Sequence, residues 1–181
     1  MVSQLLVVLA TILCLVAADG KNRTKCVSTN ATCWPTSASF AALNRDVDVV
    51  LPGDKAWASA IKIKNPRLHI VPGAVVMAHN ASAVVLAIKY AAAHDLDVSI
   101  KSTGHCYSGN CIGEGSLHLD LTRMGKVSVD TASMEMTAEP GTNFKAMYEK
   151  ADNSGVLVVG GMCPTVGPVG YALGGGHGTK I

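Results

Sequence analysis

Charge is scarce in this sequence. Asp, Glu, Lys and Arg make up 15% of its 181 residues and leave a formal net charge of +2. That balance excludes the basic stripe of a nucleic-acid binder and the polybasic face of a membrane-surface protein. Long apolar runs are missing as well. The most extended, Leu5 to Val16, has twelve residues, whereas a membrane-crossing helix needs about 20. No internal repeat and no low-complexity tract is present.

Several site motifs are absent too. A phosphate-binding Walker loop needs Gly-Lys-Ser/Thr, and here Thr179 separates Gly178 from Lys180. The dinucleotide fingerprint G-x-G-x-x-G does not occur, because Gly174, Gly176 and Gly178 sit two apart. No Gly-x-Ser-x-Gly elbow offers a serine nucleophile. A zinc site from His105, Cys106, Cys111 and His118 would lack both a C-x-x-C pair and a helical His pair. The sequence therefore calls for no metal.

What is present begins with a leader. Leu5 to Val16 closes on Ala17-Ala18 before Asp19-Gly20. Val16 and Ala18 occupy the small-residue positions of a cleavage site, so residues 1–18 read as a secretory signal peptide. A secreted protein with no membrane attachment after cleavage is expected. Three Asn-X-Ser/Thr sequons, at Asn22, Asn30 and Asn80, fit a glycoprotein of that compartment.

Six cysteines become five once Cys14 leaves with the leader. Oxidising compartments favour pairs, so an odd number matters. Cys26 and Cys33 are placed to close a small loop, and Cys106 and Cys111 are a second candidate pair. Cys163 remains. A thiol left over in a secreted protein is buried and inert, bonded to another chain, or used in chemistry.

Residues 19–65 form a polar N-terminal arm and lead-in, with a short helix over Phe40 to Leu43 and a strand over Val47 to Leu51. Pro52-Gly53 turns the chain, and Asp54 is placed to cap a helix over Lys55 to Ile63. From residue 66 onward the pattern alternates. Ala74 to Met77 is a strand. Asn80 or Ser82 caps a helix over Ala83 to His94, with Val84, Ala87, Ile88 and Ala91 on one face. Asp97 to Lys101 is the next strand, and Leu117 to Leu121 alternates with period two. Val127 to Asp130 and Met134 to Glu139 make a hairpin. Thr142 caps a helix over Asn143 to Asn153, and Val156 to Val159 returns as a buried strand. The fold class is α+β, with small mixed sheets and flanking helices.

Two loops at strand ends stand out. Ser102, Thr103 and Gly104 lead into His105, and their hydroxyls and backbone N–H groups suit a pyrophosphate. The second runs from Gly160 to Gly178, with eight glycines in nineteen residues and Cys163 before a proline. Glycine at that density lets the backbone approach a ligand closely. On spacing alone, His105 is equally a hydrogen-bonded loop histidine and Cys163 a buried thiol.

Lys101-Ser102-Thr103-Gly104-His105-Cys106-Tyr107 resembles the Arg/Lys-Ser-Gly-Gly-His-Ser-Tyr loop of FAD-linked oxidases with a PCMH-type, or vanillyl-alcohol-oxidase-like, FAD-binding domain. Thr103 replaces the commoner glycine. Cys163-Pro164-Thr165-Val166-Gly167, followed by Gly174-Gly175-Gly176, is similar to the corresponding segment of the berberine bridge enzyme-like branch. The stretch from Cys33-Trp34-Pro35 to Leu43-Asn44 resembles the lead-in of fungal-type members.

The resemblance covers about Cys26 to Gly178 and implies the N-terminal portion of the FAD-binding domain over residues 66–181, incomplete at its C-terminus. It implies FAD held by two covalent bonds, through His105 to the 8α-methyl carbon and through Cys163 to C6 of the flavin. Ser102, Thr103, Gly104, Cys106, Tyr107 and Gly109 would hold the pyrophosphate. Thr165, Gly167, Gly170, Gly174, Gly175 and Gly176 would pack against the flavin and ribityl chain.

The implied activity passes a hydride from an alcohol, sugar or amine-type small molecule to the flavin, and then electrons to dioxygen. The alternative is a truncated, non-catalytic secreted protein that keeps half a flavin-binding fold. No residue reads as a catalytic base.

Overall fold

The computed structural model describes residues 25–178. The leader, Cys14 and the Asn22 sequon lie outside the described residues. The chain opens with a Cys26–Cys33 disulfide and a short helix α1 (Ser37–Leu43). Thr36 caps α1 by accepting from the Ser39 N–H, so the helix starts three residues before the predicted Phe40.

Strand β1 (Asp48–Val50) follows. The predicted helix over 55–63 shrinks to a single turn, α2 (Trp57–Ala60), without a side-chain cap. Asp54 is used elsewhere. Its carboxylate accepts from the Leu51 N–H at 2.7 Å, closing the Pro52-Gly53 turn in which Gly53 has φ +98°.

Strand β2 (Ala74–Met77) leads through helix α3 (Ala81–Ala93) to β3 (Val98–Lys101), and β4 (Leu117–Asp120) comes next. Asn80 caps α3, its side chain accepting from the Ala83 N–H at 2.8 Å. The four strands form one sheet in the order β1-β2-β4-β3. β1 runs antiparallel to β2, whereas β2, β4 and β3 are parallel.

The register sorts the two faces of the sheet. Ala74 and Val76 of β2 lie beside Leu117 and Leu119 of β4. They join Ala83, Ala87 and Ala91 of α3 with Phe40 and Leu43 of α1 in the main core. Burying a Val, Leu or Phe side chain contributes about 1.5–3 kcal/mol, and the alanine stripe brings α3 close enough to reach them.

The second face carries polar residues. Ser99 lies opposite His118, and Lys101 lies opposite Asp120. All four are buried. Although Leu117 to Leu121 alternates with period two, β4 is central and covered on both sides. Its polar residues survive burial by pairing with each other across strands.

A separate hairpin pairs β5 (Val127–Asp130) with β6 (Glu135–Ala138). Asp130 Oδ1 accepts from the N–H groups of Ala132 and Ser133 in its turn. Helix α4 (Phe144–Asn153) packs on β5. Asn143, not Thr142, caps it, with the side-chain oxygen 3.0 Å from the Ala146 N. Thr142 is buried and its hydroxyl donates to the Lys126 carbonyl.

Two expectations fail at the C-terminal end. Val156–Val159 forms no strand and pairs with none among the described residues, leaving Leu157 81% and Val159 73% exposed. Apolarity alone does not supply a ladder partner. Within the glycine-rich stretch a short helix, α5 (Pro168–Leu173), forms with Pro168 at its first turn.

Candidate functional site

The His105 loop leaves the carboxyl end of β3, where parallel sheets present their ligand sites. Its base is fixed by an ion pair. Lys101 Nζ lies 2.8 Å from Asp120 Oδ2, with side chains 5% and 2% exposed. The same ammonium donates to the carbonyls of Ala60 at 2.7 Å and Lys62 at 3.4 Å. The loop is thereby tied to the segment after α2. The Lys64 N–H donates to the Gly104 carbonyl at 3.0 Å, and Gly104 itself has φ +77°, a conformation that favours glycine.

A Cys106–Cys111 disulfide closes the far side of this loop. With both sulfurs bonded, the zinc arrangement loses two of its four ligands, and His118 is inside the sheet. Among the described residues no group of three His, Cys, Asp or Glu is placed to hold a metal ion.

The Cys163 loop is held by α4. Its first-turn N–H groups have no intrahelical partners, and they find them here. Phe144 donates to the Val166 carbonyl at 3.0 Å and Lys145 to the Pro164 carbonyl at 2.9 Å. Tyr148 Oη donates to the Gly161 carbonyl at 2.6 Å. Gly160 and Gly161 lie against the Phe144 ring, where an added Cβ would come within 2.4 and 2.8 Å of ring carbons.

The two loops then meet. A Cβ on Gly167 would fall 2.5 Å from Ser102 Oγ and 3.0 Å from Thr103 Oγ1. Beside that contact, His105 Nε2 lies 2.8 Å from Thr165 Oγ1, and the same hydroxyl lies 3.6 Å from Cys163 Sγ. A histidine and a cysteine far apart in sequence converge on one hydroxyl. Cys163 is a free, exposed thiol, which removes the buried-thiol reading.

The electrostatics favour nucleophiles. Hydrogen bonds from the Thr165 hydroxyl and backbone lower the Cys163 thiol's pKa, and the N–H of Val166 and the Lys64 ammonium add to this. Partial burial, then Lys64, lowers the His105 pKa and keeps the imidazole neutral. Lys64 acts on both groups. No local pattern in the sequence points to it, because its place depends on tertiary contacts such as the Lys64–Gly104 hydrogen bond.

The other predicted residues divide. Ser102, Thr103, Gly104, His105, Cys163, Thr165 and Gly167 come together. The Ser102 hydroxyl donates to the Pro140 carbonyl at 2.5 Å. Cys106 is in its disulfide. Tyr107 points outward, 69% exposed. Gly109, with φ +85°, turns the loop against Ile70 and Leu68. Gly170 sits within α5, Gly174 caps it, and Gly175 and Gly176 follow with positive φ, Gly176 lying against the Tyr171 ring.

Next to the His105 loop is a cleft of about 480 Å³ at the carboxyl ends of β2, β3 and β4. Lys62, Lys64, Thr103, Thr122 and Arg123 are among its lining residues, a cationic, hydroxyl-bearing set suited to phosphate. A small-residue loop with a bare backbone, a second loop pressed to it, a neutral imidazole and a free thiol together fit a flavin dinucleotide. Comparison with known proteins gives the same answer. The sequence pattern of a family described as an FAD-binding domain matches residues 72–181.

The chain belongs to that family. More fully, it is a PCMH-type FAD-binding domain of the vanillyl-alcohol-oxidase and berberine-bridge-enzyme-like oxidases. It is 32% identical over 134 residues to the FAD-linked oxidoreductase hasG of Aspergillus fumigatus, covering 74% of this chain and 29% of that protein. It is 30% identical over 131 residues to (R)-6-hydroxynicotine oxidase of Paenarthrobacter nicotinovorans, covering 72% and 29% respectively. Among solved structures, the carbohydrate oxidase of Microdochium nivale superimposes with a TM-score of 0.68 at 29% identity, over 74% of this chain and 29% of that one. The chain thus spans about 29% of the length of these curated relatives.

Proposed function

We propose that this chain is the flavin-anchoring part of a secreted FAD-dependent oxidase. Its substrate would be a small alcohol, sugar or amine, and its terminal electron acceptor dioxygen. The observation that carries the reading is the convergence of His105 and Cys163 on the Thr165 hydroxyl. Similarity to an (R)-6-hydroxynicotine oxidase and to a carbohydrate oxidase supports these substrate classes.

When bound, FAD supplies the two-electron acceptor. The residues of this chain hold it. Residues of the Ser102 to Gly109 loop would hold the pyrophosphate, and Lys62 and Lys64 would balance its charge. His105 and Cys163 would hold the flavin covalently, and the Cys106–Cys111 disulfide closes the histidine loop. Secretion follows from the leader over residues 1–18, with glycans on Asn22, Asn30 and Asn80. Asn30 and Asn80 are both exposed.

The test is direct. The protein isolated from its source and denatured in acid keeps yellow flavin on its band. A colourless band overturns the reading. Cys163→Ala leaves flavin attached through His105 alone, with a shifted absorbance spectrum, whereas an unchanged spectrum removes Cys163 from its role.

A further inference from the structure

The Thr165 hydroxyl carries one proton and faces two acceptors. His105 Nε2 is 2.8 Å away on one side and Cys163 Sγ is 3.6 Å away on the other. It can donate to only one of them at a time. We propose that Thr165 is a positioning residue that couples ionisation of Cys163 to the tautomer of His105, so that both nucleophilic atoms become available together. The inference rests on the flavin reading for its purpose, but not for its chemistry.

With a neutral thiol, the better acceptor is the imidazole nitrogen. Thr165 donates to Nε2, and His105 carries its own proton on Nδ1. When the thiol ionises, Sγ becomes the strongest acceptor at the site and takes the hydroxyl hydrogen bond. The contact between Nε2 and Thr165 Oγ1 then persists only with Nε2–H as the donor. Nδ1 is left with a bare lone pair. Solvent takes the thiol proton, and the imidazole exchanges one N–H for the other through water with no change in its charge.

The surrounding charges agree with this pairing. Lys64 favours the thiolate and disfavours an imidazolium, so the neutral imidazole beside a thiolate is the favoured combination. The N–H groups of Thr165 and Val166 also face the sulfur. On the histidine side, the Tyr107 ring lies edge-on with centroids 6.4 Å apart. Without the hydroxyl, the two groups influence each other through charge, directly and by way of Lys64, and charge does not select a tautomer.

The experiment uses the full 181-residue chain without flavin. Histidine ¹⁵N resonances distinguish Nδ1–H from Nε2–H, and His105→Gln assigns the His105 signals. Alkylation of Cys163 by iodoacetamide, read on its peptide by mass spectrometry, follows the thiolate. In the native chain His105 changes from Nδ1–H to Nε2–H along the same pH curve that makes Cys163 alkylatable. Thr165→Ser keeps both. Thr165→Val and Thr165→Ala lose the tautomer step and move alkylation to higher pH, while the buried His118 signal stays in place as the mark of an intact fold. A His105 tautomer that stays constant through the thiol titration overturns the proposal. So does a step that survives in both hydroxyl-free variants. The flavin reading is judged separately by the acid-denatured band, so either can fail alone.

Discussion

At the scale of single residues, His118 is the group whose titration the fold suppresses most. It is fully buried. Nδ1 lies 2.9 Å from Ser99 Oγ, Ser99 Oγ lies 2.7 Å from Ser116 Oγ, and Ser116 in turn donates to the Gly113 carbonyl. Nε2 has no hydrogen-bond partner among the described residues. If Ser116 gives its proton to Gly113, Ser99 gives its own to Ser116, so His118 donates Nδ1–H, and a neutral ring avoids an unpaired Nε2–H in the core. Burial, reinforced by Lys101 and opposed by Asp120, lowers its pKa to about 4.

A folded pKa below the ordinary 6.5 means that the unfolded chain binds the proton more readily. The stability contribution is therefore complete above about pH 6.5 and lost as pH falls toward 4, amounting to about 3 kcal/mol across the window. Urea unfolding at a series of pH values checks this. The native chain weakens over that range, and His118→Leu flattens the slope there. An equal slope in the variant rules out His118 as its source.

At the scale of elements, the site is a contact between two loops, and glycines fix its separation. An added methyl at Gly167 meets Ser102 Oγ at 2.5 Å, whereas one at Gly170 meets nothing within 4 Å. Gly167→Ala therefore pushes the loops apart and lowers covalent flavin retention. Gly170→Ala keeps retention and stabilises α5 by up to about 1 kcal/mol. Flavin absorbance per mole of acid-denatured protein separates the two. Equal retention in both variants refutes the loop-contact account.

The same scale shows what the sequence could reveal. The β-α-β run was legible because apolar strands bracket a helix whose Asn80 cap is local. A cap is ambiguous from sequence where two capping residues adjoin, as Thr142 and Asn143 do, since tertiary bonding claims one of them. The buried polar face of β4 was not legible, because its partners Lys101 and Ser99 sit on another strand. His105 and Cys163 were visible through their motifs. Their junction at Thr165, 60 residues from His105, depends on how α4 seats the second loop, and the reach of Lys64 depends on its hydrogen bond to Gly104.

At the scale of the whole molecule, one buried ion pair connects core to site. Lys101 joins β3 to β4 through Asp120 and joins both to the carbonyls of Ala60 and Lys62, two residues before Lys64. Removing the cation alone leaves a carboxylate in the sheet interior, which costs about 3–5 kcal/mol. Removing both charges with apolar groups of similar size costs far less, because no lone charge remains buried. Lys101→Met should therefore destabilise strongly in urea, and Lys101→Met with Asp120→Leu should recover most of the loss.

The site responds differently from the core. Neither variant restores the ammonium that holds the Ala60 and Lys62 carbonyls, so Lys64 loses its seating in both. The Cys163 thiol, which Lys64 helps to acidify, should then alkylate at higher pH in the stable double variant as well as in the single one. Recovery of stability without recovery of thiol reactivity would mark Lys101 as the residue that places the site. Joint recovery would leave it a purely structural group.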